Sequence, residues 1–247
     1  MATSTTDTAQ FVELVKGARH IAVLTGAGIS TPSGIPDFRS PGGFYSDQRN
    51  SNVFDIASFR KDPSFFYDFA RRFYPLLVAA KPNEVHEALA KWERAGKDVR
   101  IATQNIDDLH QRAGSTHVYP VHGTLATSTC LSCGQRIETR LLEADVLSGF
   151  IPRCDCGGVF KPDITFFGEL LPDRVWEGAK EAMSEANLVV VLGTSLVVYP
   201  AAALPDFRPS GAPLVIVNRE PTGLDRQADV VVRGDLGVVM DRVSRLV

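Results

Sequence analysis

Six short apolar stretches, each followed at once by small or hydrogen-bonding residues, constrain the fold of this chain more than any single motif does. They cover residues 20–24, 99–102, 118–121, 188–192, 214–217 and 230–232, and helices are expected at residues 9–18, within 55–80 and at 82–94. Near-continuous apolar strands separated by helical segments are typical of a parallel sheet covered by helices on both faces. In such sheets ligands bind at the carboxyl ends of the strands, so the sequence predicts an α/β fold with a nucleotide site at that edge.

The first apolar stretch leads into a long loop, residues 24–39, which reads LTGAGISTPSGIPDFR. The loop begins with small residues, so a phosphate or ribose can approach the backbone N–H groups there. It does not fit a dehydrogenase fingerprint, because Thr31 stands where the third glycine belongs and no acidic residue ends a second strand about 20 residues on. A long segment then continues to Gly43 with Phe38 and Arg39 at its centre, and this length predicts a lid over a ligand.

The composition is that of a globular protein without a strong charge. The 247 residues are 44% hydrophobic and carry a formal net charge of −3, so nucleic acid is not expected as a partner. The sequence has no apolar run long enough to span a membrane, and residues 1–7 lack the layout of a signal peptide. These features predict a cytoplasmic protein with no membrane partner, built as one α/β domain with or without a small insertion.

All four cysteines lie in one interruption of the α/β pattern, at about residues 126–160. They form two pairs, Cys130 with Cys133 and Cys154 with Cys156, and 20 residues lie between the pairs. Two such pairs fit a tetrahedral four-thiolate zinc site, and a reducing cytoplasm disfavours disulfides. Because four thiolates leave no open coordination position, the zinc is expected to be structural rather than catalytic.

The motifs of the chain, taken in order, resemble those of the sirtuin family of NAD-dependent protein-lysine deacylases. They are GAGIS with PDFR, TQNID, HG, the two cysteine pairs, KPDITFFGE, GTSLVVYP and VNRE, and the resemblance extends from about residue 11 to residue 239. It implies a single catalytic core of prokaryotic type with a Rossmann-type NAD-binding domain at residues 1–125 and 161–247, including a helical segment at about 44–80. It also implies a small inserted zinc-ribbon domain at 126–160, and a cleft that holds NAD and an acyl-lysine.

The resemblance also assigns residues to the two ligands. The expected NAD contacts in the first loop are Gly26, Ala27, Gly28, Thr31, Phe38 and Arg39. The nicotinamide and its ribose would contact Gln104, Asn105, Ile106 and Asp107, and the phosphates and adenosine would contact Gly193, Thr194, Ser195, Asn218, Asp235 and Leu236. The acyl-lysine peptide is expected as an extended strand between Thr165, Phe167, Gly168 and Glu169 on one side and Leu196, Val197, Val198 and Tyr199 on the other.

The implied reaction is NAD-dependent deacetylation, in which the acetyl group passes to ADP-ribose and nicotinamide and free lysine are released. Asn105 and Asp107 would hydrogen-bond the nicotinamide carboxamide and a water while the acyl oxygen attacks the ribose. His122 matches the family's general base and would then take a ribose hydroxyl proton. Two alternatives use the same pocket, namely protein ADP-ribosyl transfer and removal of a different acyl group. A nicotinamide oxidoreductase and an inert binding module fit the motifs less well.

The acyl preference depends on the helical segment over the pocket. Family members that prefer succinyl or malonyl lysine carry a tyrosine and an arginine three residues apart there, and the arginine binds the distal carboxylate. The matching positions are Tyr67 and Ala70, and Arg71 would point about 100° away. Neutral short acyl groups such as acetyl or propionyl are therefore expected. Thr165 departs from the family at a usually apolar position of the lysine tunnel. Three further histidines, His86, His110 and His117, are expected to be structural.

Overall fold

The structure is a computed structural model that describes residues 5–38, 40, 42–47 and 52–247. Arg39, an expected NAD contact, lies outside the described residues. The described chain contains nine strands: β1 (His20–Thr25), β2 (Asp98–Thr103), β3 (Val118–Pro120), β4 (Gly123–Cys130), β5 (Arg136–Glu138), β6 (Phe160–Ile164), β7 (Leu188–Leu192), β8 (Leu214–Val217) and β9 (Val230–Val232). The same residues contain eight α-helices: α1 (Thr5–Gly17), α2 (Ile56–Lys61), α3 (Ser64–Ala79), α4 (Glu84–Arg94), α5 (Leu109–Ala113), α6 (Glu143–Leu147), α7 (Asp173–Ser184) and α8 (Leu236–Leu246).

Six of the strands form one parallel sheet in the order β3-β2-β1-β7-β8-β9. These are the six apolar stretches of the sequence, so the predicted α/β class is confirmed. The chain runs outward from β1 to β3 on one side and from β7 to β9 on the other, and the order reverses between β1 and β7. Thr25 is in register with both Thr103 of β2 and Leu192 of β7, so these three strands end level with one another. Open α/β sheets bind their ligands at such a reversal.

Helices cover both faces of this sheet. On one face α1, α4 and α8 pack against the strands, with Phe11, Trp92 and Met240 buried. On the other face α7 and a 3-10 segment, Ala201–Phe207, pack against the strands, with Met183 buried. Because both faces are covered, the strands need apolar residues at nearly every position, which explains their continuous apolar sequences.

The predicted helices form, and local capping sets where they begin. The Asn83 side chain accepts a hydrogen bond from the Val85 N–H, and His86 accepts one from the Asn83 N–H, which makes a capping box at the start of α4. His86 is therefore a packed and capping histidine, as predicted. The segment 55–80 divides into α2 and α3, while α1 starts earlier than expected, at Thr5.

A second sheet, antiparallel and ordered β5-β4-β6, carries the cysteine pairs. An aromatic cluster joins it to α2 and α3, with neighbouring ring centroids 5.2–6.2 Å apart; its members are Phe54, Phe59, Phe66, Phe69, Phe73 and Phe166. This cluster accounts for most of the phenylalanine-rich segment, since Phe59, Phe66, Phe69 and Phe73 are buried, whereas Phe65 is 64% exposed. Among the described helices, none has the length and apolarity that crossing a bilayer requires.

Candidate active site

A cavity of about 1220 Å³ lies at the carboxyl edge of the parallel sheet. Its walls include residues that follow all six strands of that sheet, so the strand endings converge as expected. Every predicted NAD contact within the described residues lines this cavity: Gly26, Ala27, Gly28, Thr31, Phe38, Gln104, Asn105, Ile106, Asp107, Gly193, Thr194, Ser195, Asn218, Asp235 and Leu236. His122 also lines it.

Two glycines of the first loop are required by its contact with the loop after β7. The Gly26 N–H donates to the last carbonyl of β7 at 3.1 Å, and the Gly28 N–H donates to Gly193 O at 2.9 Å. A Cβ at Gly26 would lie 2.7 Å from the Thr194 Cβ, and one at Gly28 would lie 2.8 Å from Gly193 O. In the sequence, small residues at these positions indicate only that a phosphate is able to approach the backbone. The glycines also let two loops join across the reversal of strand order.

Three hydrogen-bonded side chains form a polar group in the cavity wall. Ser30 Oγ donates to Asp107 Oδ2 at 2.6 Å. Asn105 Nδ2 donates to Ser30 Oγ and to Gly26 O, each at 3.1 Å. Burial raises the pKa of Asp107 above its ordinary value, and hydrogen bonds from Ser30 and from the Leu109 N–H oppose that rise. The bonds to Ser30 and Gly26 use the NH2 group of the Asn105 amide and fix its orientation, so its carbonyl oxygen is able to accept from a ligand.

His122 is partly buried, and one hydrogen bond orients its ring. Its Nδ1 lies 3.0 Å from Gln104 O. Because a carbonyl oxygen only accepts, Nδ1 carries the proton and the neutral ring has an unprotonated Nε2. Burial lowers the pKa of His122 below its ordinary value, and the bond to Gln104 opposes that change. At neutral pH the ring is therefore neutral, and Nε2 is able to accept a proton.

The four cysteines form one cluster, as predicted. Their sulfur atoms all lie within 4.8 Å of one another, and the pairs Cys130–Cys156 and Cys133–Cys154 are each 3.6 Å apart. A tetrahedral zinc ion with Zn–S bonds of about 2.3 Å requires sulfur atoms about 3.8 Å apart, so the cluster fits zinc. A Cβ at Gly158 would lie 2.6 Å from the Cys130 sulfur, which explains a glycine beside the second pair.

The motifs and this geometry match a known family. The model of the Sir2 family matches residues 26–200. This chain belongs to the Sir2 family. An NAD-dependent protein deacetylase of Thermotoga maritima is 46% identical over 218 residues, which cover 87% of this chain and 88% of the relative. One of Cutibacterium acnes is 44% identical over 243 residues, which cover 96% of this chain and 98% of the relative.

Solved Sir2 structures share the whole architecture. One, from work on the mechanism and regulation of Sir2 enzymes, has a TM-score of 0.92 at 38% identity and covers 98% of this chain and 97% of its own. A Sir2 complex with a p53 peptide and NAD+ has a TM-score of 0.88 at 42% identity and covers 96% of both chains. The parallel sheet and the small cysteine-bearing sheet of this Sir2 chain therefore both belong to the family fold.

The residues expected to contact a peptide are not all at the cavity of this Sir2 chain. Thr165, Phe167, Gly168, Glu169, Val198 and Tyr199 line it. Leu196 and Val197 do not: Leu196 is buried in the core under the sheet, and Val197 is 56% exposed. Thr165 is held by its N–H, which donates to His122 O at 2.8 Å and so joins the two sides of the cavity.

The structure corrects the positions expected for the acyl pocket in α3. Tyr67 does not line the cavity, because it is 4% exposed and its hydroxyl donates to a backbone carbonyl of β6 at 2.6 Å. The residues of α3 that do line it are Phe73 and Leu77, which are four residues apart and share a face of the helix. Arg71 points away, as predicted, and its Nε donates to a backbone carbonyl of α6 at 3.1 Å.

Ser30 is a site residue that the sequence analysis did not assign. Its signal is weak in the sequence, since a serine after GAGI reads as one more small residue of the loop. Its role follows from the sheet order, which places β1 beside β2 and so brings Ser30 within 2.6 Å of Asp107, 77 positions away. A contact at that separation is not visible in local sequence.

Proposed function

We propose that this Sir2 chain is an NAD-dependent protein-lysine deacetylase, which transfers the acetyl group to ADP-ribose and releases nicotinamide and free lysine. The observation that carries the proposal is that His122, Asn105 and Asp107 line one cavity of about 1220 Å³. That volume exceeds the usual range for a single drug-sized ligand. The names of the curated relatives and the Sir2 complex with peptide and NAD+ support the same activity.

Asn105 and Asp107 are the residues we propose for the nicotinamide end. NAD supplies a ribose carbon bound to a cationic leaving group, and the acyl oxygen bonds to that carbon as nicotinamide departs with the bond electrons. Cleavage of this kind needs positioning rather than a strong acid. Asn105 is oriented by its bonds to Gly26 and Ser30, so its side-chain carbonyl oxygen, which has no partner within the described part of the chain, is able to accept from the carboxamide N–H.

His122 is the residue we propose as general base. Nε2 would take the proton from a ribose hydroxyl, whose oxygen then attacks the carbon of the acyl group. Gln104 O holds Nδ1–H at 3.0 Å and would stabilise the ring when it becomes positively charged. The same hydrogen bond fixes the ring before the reaction, so no reorientation is needed during proton transfer.

The other site residues are proposed to bind the phosphates and adenosine of NAD, or the peptide. Thr194, Ser195, Asn218, Asp235 and Leu236 are proposed for the phosphates and adenosine. Acyl-lysine proteins would bind as an extended strand beside Gly168 and Glu169. We propose the NAD-binding domain at residues 1–125 and 161–247 and the zinc-binding insertion at 126–160. Cytoplasm is the compartment we propose, since it keeps a thiolate cluster reduced.

Neutral acyl groups are the proposed substrates. The wall that α3 contributes consists of Phe73 and Leu77, which offer no partner for a carboxylate. Arg219 is the one lysine or arginine among the described lining residues, and its side chain is 79% exposed and 4.0 Å from Asp235. An unpaired carboxylate in an apolar wall would carry a desolvation penalty of several kcal/mol.

The proposed activity is tested by incubating the protein with NAD and a lysine peptide in acetylated and unmodified forms. We expect nicotinamide release that depends on the acetyl group, together with loss of the acetyl mass from the peptide. Equal release with both peptides would refute deacetylation. A gain of ADP-ribose mass on the peptide would instead support the alternative, protein ADP-ribosyl transfer.

A further inference from the structure

We propose that Lys161 is a positioning residue for the peptide substrate, because its ion pair with Glu169 holds the turn at residues 166–169. This inference rests on the proposed function for the identity of the substrate. Lys161 lies in β6 and does not line the cavity, whereas residues 165–170 do. Its action must therefore pass through the turn and not through contact with a ligand.

The Lys161 ammonium is almost completely enclosed and fully used. Its side chain is 8% exposed, and Nζ lies 2.9 Å from Glu169 Oε2. Nζ also donates to Ile164 O at 2.8 Å and to Pro162 O at 3.2 Å. These three acceptors match the three N–H bonds of an ammonium group. The ammonium also lies 4.2 Å from the centroid of the Phe166 ring, within reach of a cation–π interaction.

Glu169 connects the Lys161 ammonium to the main chain of the turn. The carboxylate oxygen that binds Lys161 also accepts the Phe166 N–H at 2.8 Å. The Glu169 N–H donates back to Phe166 O at 3.0 Å, so the turn is closed by both main-chain and side-chain bonds. The chain reverses at Gly168, whose φ of +90° is readily adopted by glycine. Lys161 is the one cationic partner of the Glu169 carboxylate among residues 5–38, 40, 42–47 and 52–247, so its removal would leave that carboxylate without this ion pair.

The closed turn presents one free main-chain segment to the cavity. Both main-chain groups of Phe167 already have hydrogen-bond partners. Its N–H donates to Phe54 O at 2.7 Å, and its carbonyl accepts the Ile56 N–H at 3.1 Å. Gly168 lines the cavity, and among the described residues its N–H and carbonyl have no hydrogen-bond partner. An extended peptide that adds as a strand pairs with free groups of this kind. Lys161 thus fixes the position of Gly168 through its ion pair with Glu169.

Glu169 therefore acts on the substrate through the turn. Its carboxylate is already bound to Lys161 and to the Phe166 N–H, so it is a positioning group and the main chain at Gly168 makes the contact. A turn that is ordered before binding spares the peptide the entropy cost of ordering it. Loss of the ion pair should consequently weaken peptide binding and leave NAD binding unchanged.

Steady-state kinetics on matched variants test this proposal. For Lys161→Met we expect the KM for an acetyl-lysine peptide to rise about 10-fold or more, as for breaking a buried ion pair, with the KM for NAD changed less than about 2-fold. Lys161→Arg keeps the charge and should restore most of the peptide KM. Glu169→Gln should resemble Lys161→Met, and the double variant should be no worse than either single one.

Lys180→Met is the matched control. Lys180 also pairs with a glutamate, Glu177, at 2.7 Å and lies 5.7 Å from a phenylalanine ring, that of Phe207, but it does not line the cavity. Its peptide KM should stay at the wild-type value. Amide hydrogen exchange of residues 166–169 gives a readout independent of turnover, and it should accelerate in Lys161→Met and not in Lys180→Met.

Three results would overturn the proposal: an unchanged peptide KM in Lys161→Met, equal increases in both KM values, or unchanged hydrogen exchange at the turn. If the wild-type protein releases no acetyl group, the proposed function fails separately. Direct binding of the acetyl-lysine peptide then decides the role of Lys161, and equal affinity of wild type and Lys161→Met, or no binding by either, rejects it.

Discussion

Replacing Ser30 with alanine removes one hydroxyl that joins the two side chains proposed for nicotinamide. Ser30 Oγ donates to Asp107 Oδ2 at 2.6 Å and accepts from Asn105 Nδ2 at 3.1 Å. A hydrogen bond to a charged group contributes about 1.5–3 kcal/mol. If that contribution is fully expressed when the nicotinamide bond breaks, kcat/KM for NAD should fall about 10- to 150-fold.

The pH dependence of the same variant gives a second, directional result. Burial already raises the pKa of Asp107, and Ser30 opposes the rise by binding the carboxylate form. Without Ser30 the pKa should rise further. The proposed reaction needs the carboxylate form of Asp107, so activity is lost as the pH falls through this pKa. The acidic limb of the kcat/KM profile should therefore move to higher pH in Ser30→Ala.

The assay is nicotinamide release at subsaturating NAD, measured across pH for wild type, Ser30→Ala and a control. Ser184→Ala is the control, because Ser184 donates to Glu181 O on the exposed side of α7. It should match wild type in both rate and profile. A Ser30→Ala protein with an unchanged kcat/KM, or with its acidic limb moved to lower pH, would refute the reasoning about Asp107.

Three further predictions concern the base, the metal and the acyl group. His122→Ala should lower turnover about 100- to 10,000-fold while NAD still binds and nicotinamide exchange persists, and near wild-type deacylation would remove His122 from the mechanism. Cys130→Ala should lower zinc content, the free energy of unfolding and activity together, and a metal-free protein that stays folded and fully active would contradict the structural zinc. Acetyl and succinyl forms of one peptide should differ in kcat/KM in favour of acetyl, whereas a clear succinyl preference would reject the neutral pocket formed by Phe73 and Leu77.

The sequence predicts the parallel sheet well because burial on both faces leaves a simple pattern. The apolar runs predict strands at residues 188–192 and 214–217, and these are β7 and β8 with the same bounds. The polar residues after each strand mark the site for a related reason, since parallel strands bring their carboxyl ends to one edge. The cysteine spacing was equally informative, because the two pairs assemble as one cluster.

What the sequence could not supply depends on contacts between distant segments. The prediction that Tyr67 faces the acyl pocket is wrong because packing against the aromatic cluster sets the rotation of α3. The face of α3 toward the cavity carries Phe73 and Leu77 instead. Ser30 and Lys161 were not assigned because their partners become neighbours only after the sheets form. Neither residue differs locally from an ordinary loop serine or strand lysine.

The most direct test of the deacetylase proposal is the stoichiometry of its products. NAD and an acetyl-lysine peptide are incubated with the protein, and mass spectrometry measures nicotinamide, deacetylated peptide and acetyl-ADP-ribose in the same reaction. We predict equal amounts of the three, with none formed from the unacetylated peptide. Nicotinamide release without acetyl-ADP-ribose, or ADP-ribose attached to the peptide, would contradict acetyl transfer to ADP-ribose as the function of this cavity.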